Sequence, residues 1–130
     1  MKISKFSCVY LSVLVLSLGG CTSPTPTTTI SGSEALETPA VKGALNAHTE
    51  KLKELVHIYS SQPDDIRLAA SIIEQQLRPY VTRIRSELLK AGASVTYTNA
   101  FTKDLSGHEM EVTISGILIE IREKQKIQSK

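Results

Sequence analysis

The sequence predicts an α+β domain in which two helices pack on a small antiparallel sheet, in the order ααββ(β). Apolar residues recur every three or four positions between residues 39 and 91, which is the period of an α-helix. After Ser94, apolar and polar residues alternate instead, which is the period of a β-strand. The predicted domain spans residues 39–126, long enough for one modest core, and a polar tail follows at 127–130.

The first predicted helix begins at Thr38-Pro39. Threonine is a favourable N-cap residue, and proline is common at the first helical position because its missing N–H is not needed there. Apolar residues then recur on one face of the helix, at Leu45, Leu52, Leu55 and Tyr59.

The second predicted helix begins near Pro63, and Gly92 ends it. Asp64 and Asp65 follow the proline, where the helix dipole favours negative charge. Pro79 lies inside the pattern and costs a helix about 3 kcal/mol. The apolar stripe crosses Pro79 without a change of phase, so one kinked helix is preferred to two. The stripe consists of Ile66, Ala70, Ile73, Leu77, Val81, Ile84 and Leu88.

The predicted strand pattern changes phase at Ser115-Gly116. Either these residues form a two-residue hairpin turn, which creates a third strand, or Gly116 marks a bulge in one long strand. The hairpin is preferred because three strands are more viable than two and the bulged strand would be unusually long. The apolar residues on either side of the change are Met110, Val112 and Ile114, then Ile117, Ile119 and Ile121.

The first twenty residues have the three-part pattern of a secretory signal. Lys2 and Lys5 form a basic head, residues 9–18 are mainly apolar, and Gly19 and Gly20 are small. The apolar run is shorter than the roughly 18 residues that a membrane-spanning helix needs. The pattern therefore indicates export.

The end of this signal, Leu18-Gly19-Gly20-Cys21, resembles the lipobox of bacterial lipoproteins. The resemblance implies cleavage between Gly20 and Cys21 and attachment of a diacylglyceryl group to the cysteine thiolate. Acyl chains such as palmitate would then hold the protein in a membrane. Thr22 follows where aspartate signals inner-membrane retention. The resemblance thus implies the outer membrane, facing the periplasm, in a Gram-negative source, and otherwise the extracytoplasmic face of the cell membrane.

The two cysteines and the next segment fit this interpretation. Cys8 would be removed with the signal and Cys21 would carry lipid, so the mature chain is expected to form no disulfide. Residues 21–38 would comprise the lipidated cysteine and a tether. Threonine, serine and proline dominate this segment, which cannot bury enough apolar surface to order itself.

Charge and motifs favour no catalytic function. The chain carries 15 basic and 13 acidic side chains, which gives no case for nucleic-acid binding. His48 and His57 are nine residues apart, on opposite faces of one helix, so they cannot share a metal. His108 is expected in a solvated turn. The sequence therefore predicts no catalytic residue, metal or cofactor.

A basic cluster on the second helix is the candidate partner surface. Arg78 and Arg85 are seven residues apart and share a face. The alternative is an ordinary solvated face, on which Arg83 pairs with Glu87 four residues later. The cluster consists of Arg78, Arg83, Arg85 and Lys90.

Together these features predict a lipid-anchored cell-envelope protein that presents a small non-catalytic domain to a protein partner. It would be an accessory or assembly factor of a secretion, conjugation or pilus-type machine. A free strand edge would support this function by adding a partner strand. The alternative is a carrier of a lipid or other hydrophobic ligand, which an enclosed pocket would support.

Overall fold

The computed structural model describes residues 29–130, which form five α-helices and, within that range, no β-strand. The predicted α+β class is therefore wrong, and the described part of the chain is all-helical. The helices are α1 (Gly32–Glu37), α2 (Pro39–Ser60), α3 (Ile66–Lys90), α4 (Val95–Lys103) and α5 (Gly107–Gln128).

The two helices predicted before Gly92 are both present. α2 begins at Pro39 with Thr38 at the N-cap position, as predicted, but the Thr38 hydroxyl makes no capping hydrogen bond and donates to the carbonyl of Ala35 at 2.8 Å instead. α3 continues through Pro79 as one helix, so the one-helix interpretation is correct. Gly92 has a φ of 96°, a left-handed conformation that favours glycine, and it ends α3 as expected.

The predicted start of α3 is early by three residues. Its first helical residue is Ile66 rather than Pro63. The carboxylate of Asp65 accepts hydrogen bonds from the backbone N–H groups of Arg67 at 2.7 Å and Leu68 at 3.3 Å. Asp65 therefore caps the helix from outside instead of lying in its first turn.

The first predicted strand is helix α4. Ser94 caps this helix by accepting a hydrogen bond from the backbone N–H of Tyr97 at 3.1 Å. The face toward the core carries Thr98 and Thr102, one turn apart and both buried, whereas Val95 is 60% exposed. The hydroxyl of Thr102 donates to the carbonyl of Thr98 at 2.8 Å, whereas the hydroxyl of Thr98 is buried without a hydrogen-bond partner.

The predicted hairpin or bulge at Ser115-Gly116 is also wrong, because both residues lie within α5. Apolar residues on either side of Gly116 fit a helical period as well as an alternating one. The apparent change of strand phase is the helical spacing of Met110, Ile114, Ile117 and Ile121, which are 4, 3 and 4 residues apart. The inward-facing residues are Met110, Ile114, Ile117, Leu118 and Ile121.

Part of the predicted tether is packed on the domain. Residues 32–37 form α1, whose N-cap Ser31 makes a capping box with Glu34. Ala35 of this helix is fully buried. A Cβ on Gly32 would overlap the ring of Tyr97, so only glycine permits this contact between α1 and α4. α1 thus packs on the helices that follow residue 39, and α5 ends at Gln128, within the segment predicted as a polar tail.

The core consists of two clusters at the two ends of an antiparallel α2–α3 pair. One cluster joins the first half of α2 and the second half of α3 to α1 and α4. The other joins the second half of α2 and the first half of α3 to α5. The members of the first are Ala35, Val41, Ala44, Ile84, Leu88 and Ala93, and those of the second are Leu55, Val56, Ala69, Ala70, Ile73, Leu77, Met110, Ile114 and Leu118.

Candidate functional site

The residues of the predicted signal and lipobox, among them Cys8, Gly20 and Cys21, lie outside the described residues. Signal cleavage and lipidation therefore stay predictions. What the structure describes is the place where the chain that follows them joins the folded domain.

The chain joins the domain beside the turn between α3 and α4. The backbone N–H of Ile30 donates to the carbonyl of Gly92 at 3.1 Å, and the Ile30 side chain packs against the core of that end. We call this end, formed by Ile30 and residues 89–95, the proximal end. The loop between α2 and α3, residues 61–65, forms the distal end. α3 has 25 residues and therefore separates the two ends by about 37 Å.

Two members of the predicted basic cluster are paired with acidic residues of α3, and two are exposed. Arg78 binds the carboxylate of Glu74, with Nε–Oε2 and Nη2–Oε2 distances of 3.0 Å. Lys90 pairs with Glu87 at 3.0 Å, whereas the four-residue spacing had suggested a pair between Arg83 and Glu87. Arg83 and Arg85 are exposed on the second half of α3.

An open groove of about 1020 Å³ lies between the start of α3 and α5, near the distal end. Val112 and Ile119 line it and are 56% and 44% exposed. Gly116 lies between them, with no atom within 4 Å of where its Cβ would be. We call this the α3–α5 groove. Its charged and titratable lining residues carry both signs and are Asp64, Asp65, Arg67, His108, Glu111 and Arg122.

A second groove, of about 340 Å³, lies between α2 and α5. Leu52, Val56, Ile117 and Ile121 supply its apolar lining, and Lys53, His57, Ser60 and Gln125 complete it. We call it the α2–α5 groove. Both grooves flank α5, so this helix presents side chains on two sides of its core-facing stripe.

Glu74 is a buried charge that the sequence interpretation missed. Its side chain is only 1% exposed, because Glu74 lies on the buried face of α3 with the apolar residues Ile73 and Leu77. Besides Arg78, it accepts a hydrogen bond from the backbone N–H of Gly107 at 2.8 Å. The four-residue spacing of Glu74 and Arg78 was the available signal for their ion pair. No local sequence signal indicated the contact with Gly107, which lies 33 residues away.

The Glu74 carboxylate also caps the N-terminus of α5. Ser106 is the N-cap residue, but its side chain makes no capping hydrogen bond. Burial raises the pKa of Glu74, whereas the hydrogen bonds from Arg78 and Gly107 lower it by more, so its pKa lies below the ordinary value of 4.5. Glu74 is therefore a charged structural bridge between α3 and α5.

Arg122 joins α5 to the distal loop. Its guanidinium donates to the carbonyls of Asp64 at 2.9 Å, Gln62 at 2.8 Å and Tyr59 at 3.2 Å. These carbonyls lie at the end of α2 and in the loop that follows, where a cation is favoured. The sequence interpretation did not single out Arg122, because its partners are about 60 residues away.

The histidines are dispersed. His48 is 5% exposed, and its Nε2 atom is buried without a hydrogen-bond partner. His57 is exposed on the same helix, and His108 lies exposed in the first turn of α5 rather than in a loop. Within residues 29–130, no three His, Cys, Asp or Glu side chains lie together as metal ligands.

No helix of residues 29–130 is both long enough and apolar enough to span a membrane. Comparison with models of protein families, with curated proteins and with solved structures finds no match to this chain. Its function is therefore inferred from its own residues and geometry.

Proposed function

We propose that this protein is a lipid-anchored cell-envelope protein that presents a small non-catalytic helical domain to a protein partner. It acts as an accessory or assembly factor of an envelope machine of the secretion, conjugation or pilus type. Acyl chains on Cys21 hold it in the outer membrane, facing the periplasm, in a Gram-negative source. The lipobox resemblance supports the anchor, and the geometry of the domain supports the presentation.

The observation that carries this proposal is the separation of the two ends of the domain. The hydrogen bond between Ile30 and Gly92 fixes the incoming chain at the proximal end. Both grooves beside α5 lie toward the distal end, which α3 holds about 37 Å away. An anchor at Cys21 therefore leaves both grooves accessible to a partner.

The grooves suit a helical segment better than a strand. The predicted strand edge does not exist in the described part of the chain, so strand addition no longer supports partner binding. The α2–α5 groove instead has an apolar floor between two helices, the arrangement that receives the apolar face of an amphipathic helix. We therefore assign partner binding to the surface around α5.

The carrier function is the less favoured alternative. A carrier encloses most of its ligand in a deep pocket. The α3–α5 and α2–α5 grooves are both open to solvent. An open groove shields one side of a bound helix but leaves much of a bound lipid in water.

The anchor is tested with Cys21→Ala in cells fed a labelled fatty acid. The variant should lose the label and remain as a larger, uncleaved precursor, because the acyl acceptor is missing. Cys8→Ala is the control and should be labelled and processed normally. Label that persists in Cys21→Ala would overturn the lipid anchor.

The partner surface is tested with a photo-crosslinking amino acid at Ile119 in intact cells. The same amino acid at Asn99, exposed on α4, is the control. We expect one discrete crosslinked protein from position 119 and none from position 99. The same product from both positions, or a lipid adduct from position 119 alone, would overturn the assignment.

A further inference from the structure

We propose that the proximal end of the domain rests on the bilayer that holds the acyl chains of Cys21, with Leu89 and Val95 at the boundary between headgroups and acyl chains. This inference rests on the proposed lipid anchor. It adds the orientation of the domain and a second lipid contact, made by the folded domain itself.

The length of chain between the anchor and the domain carries the first step. Only residues 22–28 separate Cys21 from Thr29. Eight Cα–Cα steps span at most about 28 Å. Because Ile30 is bound to Gly92, the turn between α3 and α4 stays within about 30 Å of the membrane surface, which is less than the length of α3 and lets this end reach the bilayer.

The proximal end carries apolar side chains that the core does not use. Leu89 and Val95 are 40% and 60% exposed, and each lies three residues from Gly92, on opposite sides of the turn. The turn is held by hydrogen bonds from Gly92 to Leu89, at 3.1 Å, and from Ala93 to Leu88, at 3.0 Å. The two side chains are therefore presented by a preformed turn, and contact with the bilayer needs no refolding.

A basic residue lies where lipid phosphates would be. Arg85 precedes Leu89 by four residues, so it lies on the same face of α3 and about 6 Å further from the tip. A long basic side chain above an apolar tip is the arrangement that places charge among headgroups while the apolar part is inserted. Arg83, exposed on the same half of α3, adds positive charge that anionic lipids attract, whereas Lys90 is paired with Glu87.

The distal end does not have this relation to the anchor. Val112 and Ile119 are comparably exposed, but they lie on α5, on the side that faces the start of α3 and the distal loop. The short connection from Cys21 thus distinguishes two sets of exposed apolar residues: the set at Leu89 and Val95 meets lipid, and the set at Val112 and Ile119 stays available to a partner.

The test uses the mature lipoprotein with one added cysteine for an environment-sensitive dye. Val95→Cys and Val112→Cys form a matched pair, because the two valines are 60% and 56% exposed. Each labelled protein is placed in vesicles of phosphatidylethanolamine and phosphatidylglycerol, with or without brominated acyl chains. Intact mass first verifies that Cys21 is acylated and that one dye is present, and circular dichroism verifies the fold.

We expect the dye at position 95 to shift to the blue in vesicles and to be quenched by brominated chains, and the dye at position 112 to remain as in water. Arg85→Glu should weaken the quenching at position 95, whereas Arg67→Glu, at the other end of α3, should not. A dye at position 95 that stays in water on acylated protein would overturn this inference and leave the anchor intact. Equal quenching at both positions would also overturn it. Protein without acyl mass on Cys21 would overturn the anchor as well.

Discussion

At the scale of single residues, two buried polar side chains have opposite effects on the stability of the domain. Glu74 is buried with its hydrogen bonds made, by Arg78 and by Gly107. His48 is buried with its Nε2 atom unpaired. A buried group that keeps its partners stabilises a fold, and one without a partner costs about 1–3 kcal/mol.

Replacement of Glu74 by glutamine should lower the free energy of unfolding by about 2 kcal/mol. The amide keeps the size of the side chain but loses the charge that binds Arg78. Glu120→Gln is the control, because that carboxylate is 66% exposed in its pair with Lys124, and it should change the free energy by less than about 0.5 kcal/mol. Urea unfolding measures both, and equal values would contradict the structural role of Glu74.

Replacement of His48 by leucine should raise the free energy of unfolding by about 1 kcal/mol at neutral pH, because it removes an unpaired buried nitrogen. Burial lowers the pKa of His48 below its ordinary value of 6.5. As the pH falls below 6.5, the imidazole is protonated in the unfolded chain before it is protonated in the folded domain, so the free energy of unfolding falls with the pH.

The advantage of His48→Leu should therefore grow between pH 6.5 and pH 5. Thermal unfolding across this range measures the effect. His57→Leu, at an exposed position of the same helix, is the control and should stay within about 0.5 kcal/mol of the wild type. A benefit of His48→Leu that does not change with pH would contradict the burial of a neutral imidazole.

At the scale of elements, α5 shows how tertiary contacts determine structure that local pattern leaves ambiguous. Its isoleucines and valine favour strands locally. Burial of Ile114 and Leu118 against α2 and α3 favours the helix instead. Local propensities for helix or strand are weak, and tertiary packing commonly overrides them. In α5, packing overrides the local preference for a strand.

Two glycines of α5 allow a direct test of this helix. Gly116 lies in the helix interior and Gly107 at its start, where φ is 66°. A Cβ at either position would meet no atom of another element within 4 Å. Gly116→Ala should therefore raise the free energy of unfolding by about 0.5–1 kcal/mol through helix propensity.

Gly107→Ala is the matched control for backbone conformation. It should lower the free energy of unfolding by about 1–2 kcal/mol, because a left-handed conformation crowds Cβ against the next carbonyl. Urea unfolding separates the two variants. A loss of stability in Gly116→Ala as large as that in Gly107→Ala would favour the turn at Ser115-Gly116 over the helix.

At the scale of the whole molecule, α3 joins two core clusters, and Arg122 closes the distal end. Its guanidinium binds three backbone carbonyls of α2 and the following loop. A planar guanidinium serves several acceptors at once, which an ammonium cannot reproduce. The distal end, where the partner surface is proposed, therefore depends on one side chain of α5.

Arg122→Lys should lower the free energy of unfolding by about 2 kcal/mol and speed hydrogen exchange in residues 59–65. Exchange in α1 and α4 should remain unchanged, because they pack in the other cluster. Arg83→Lys, an exposed position on α3, is the control and should stay within about 0.5 kcal/mol of the wild type. Uniformly faster exchange in Arg122→Lys would mean that the two clusters unfold together.

The sequence by itself determined the helices α2 and α3 and their register. The stripe from Ala70 to Leu88 is buried as predicted, Thr38-Pro39 begins α2, and Gly92 ends α3. These features are local: periodicity, a proline at the first helical position and a left-handed glycine act within a few residues. The lipobox resemblance is likewise local, and it rests on four residues ending at Cys21.

Only the tertiary structure decided the second half of the domain and its surfaces. Period-two and helical spacing coincide around Ser115, so burial against α2 and α3 had to choose between them. The Glu74 bridge and the Arg122 contacts join residues 33 to 63 positions apart, a separation that no local pattern encodes. The grooves beside α5, and their distance from the incoming chain, exist only once these contacts place α5 along α3.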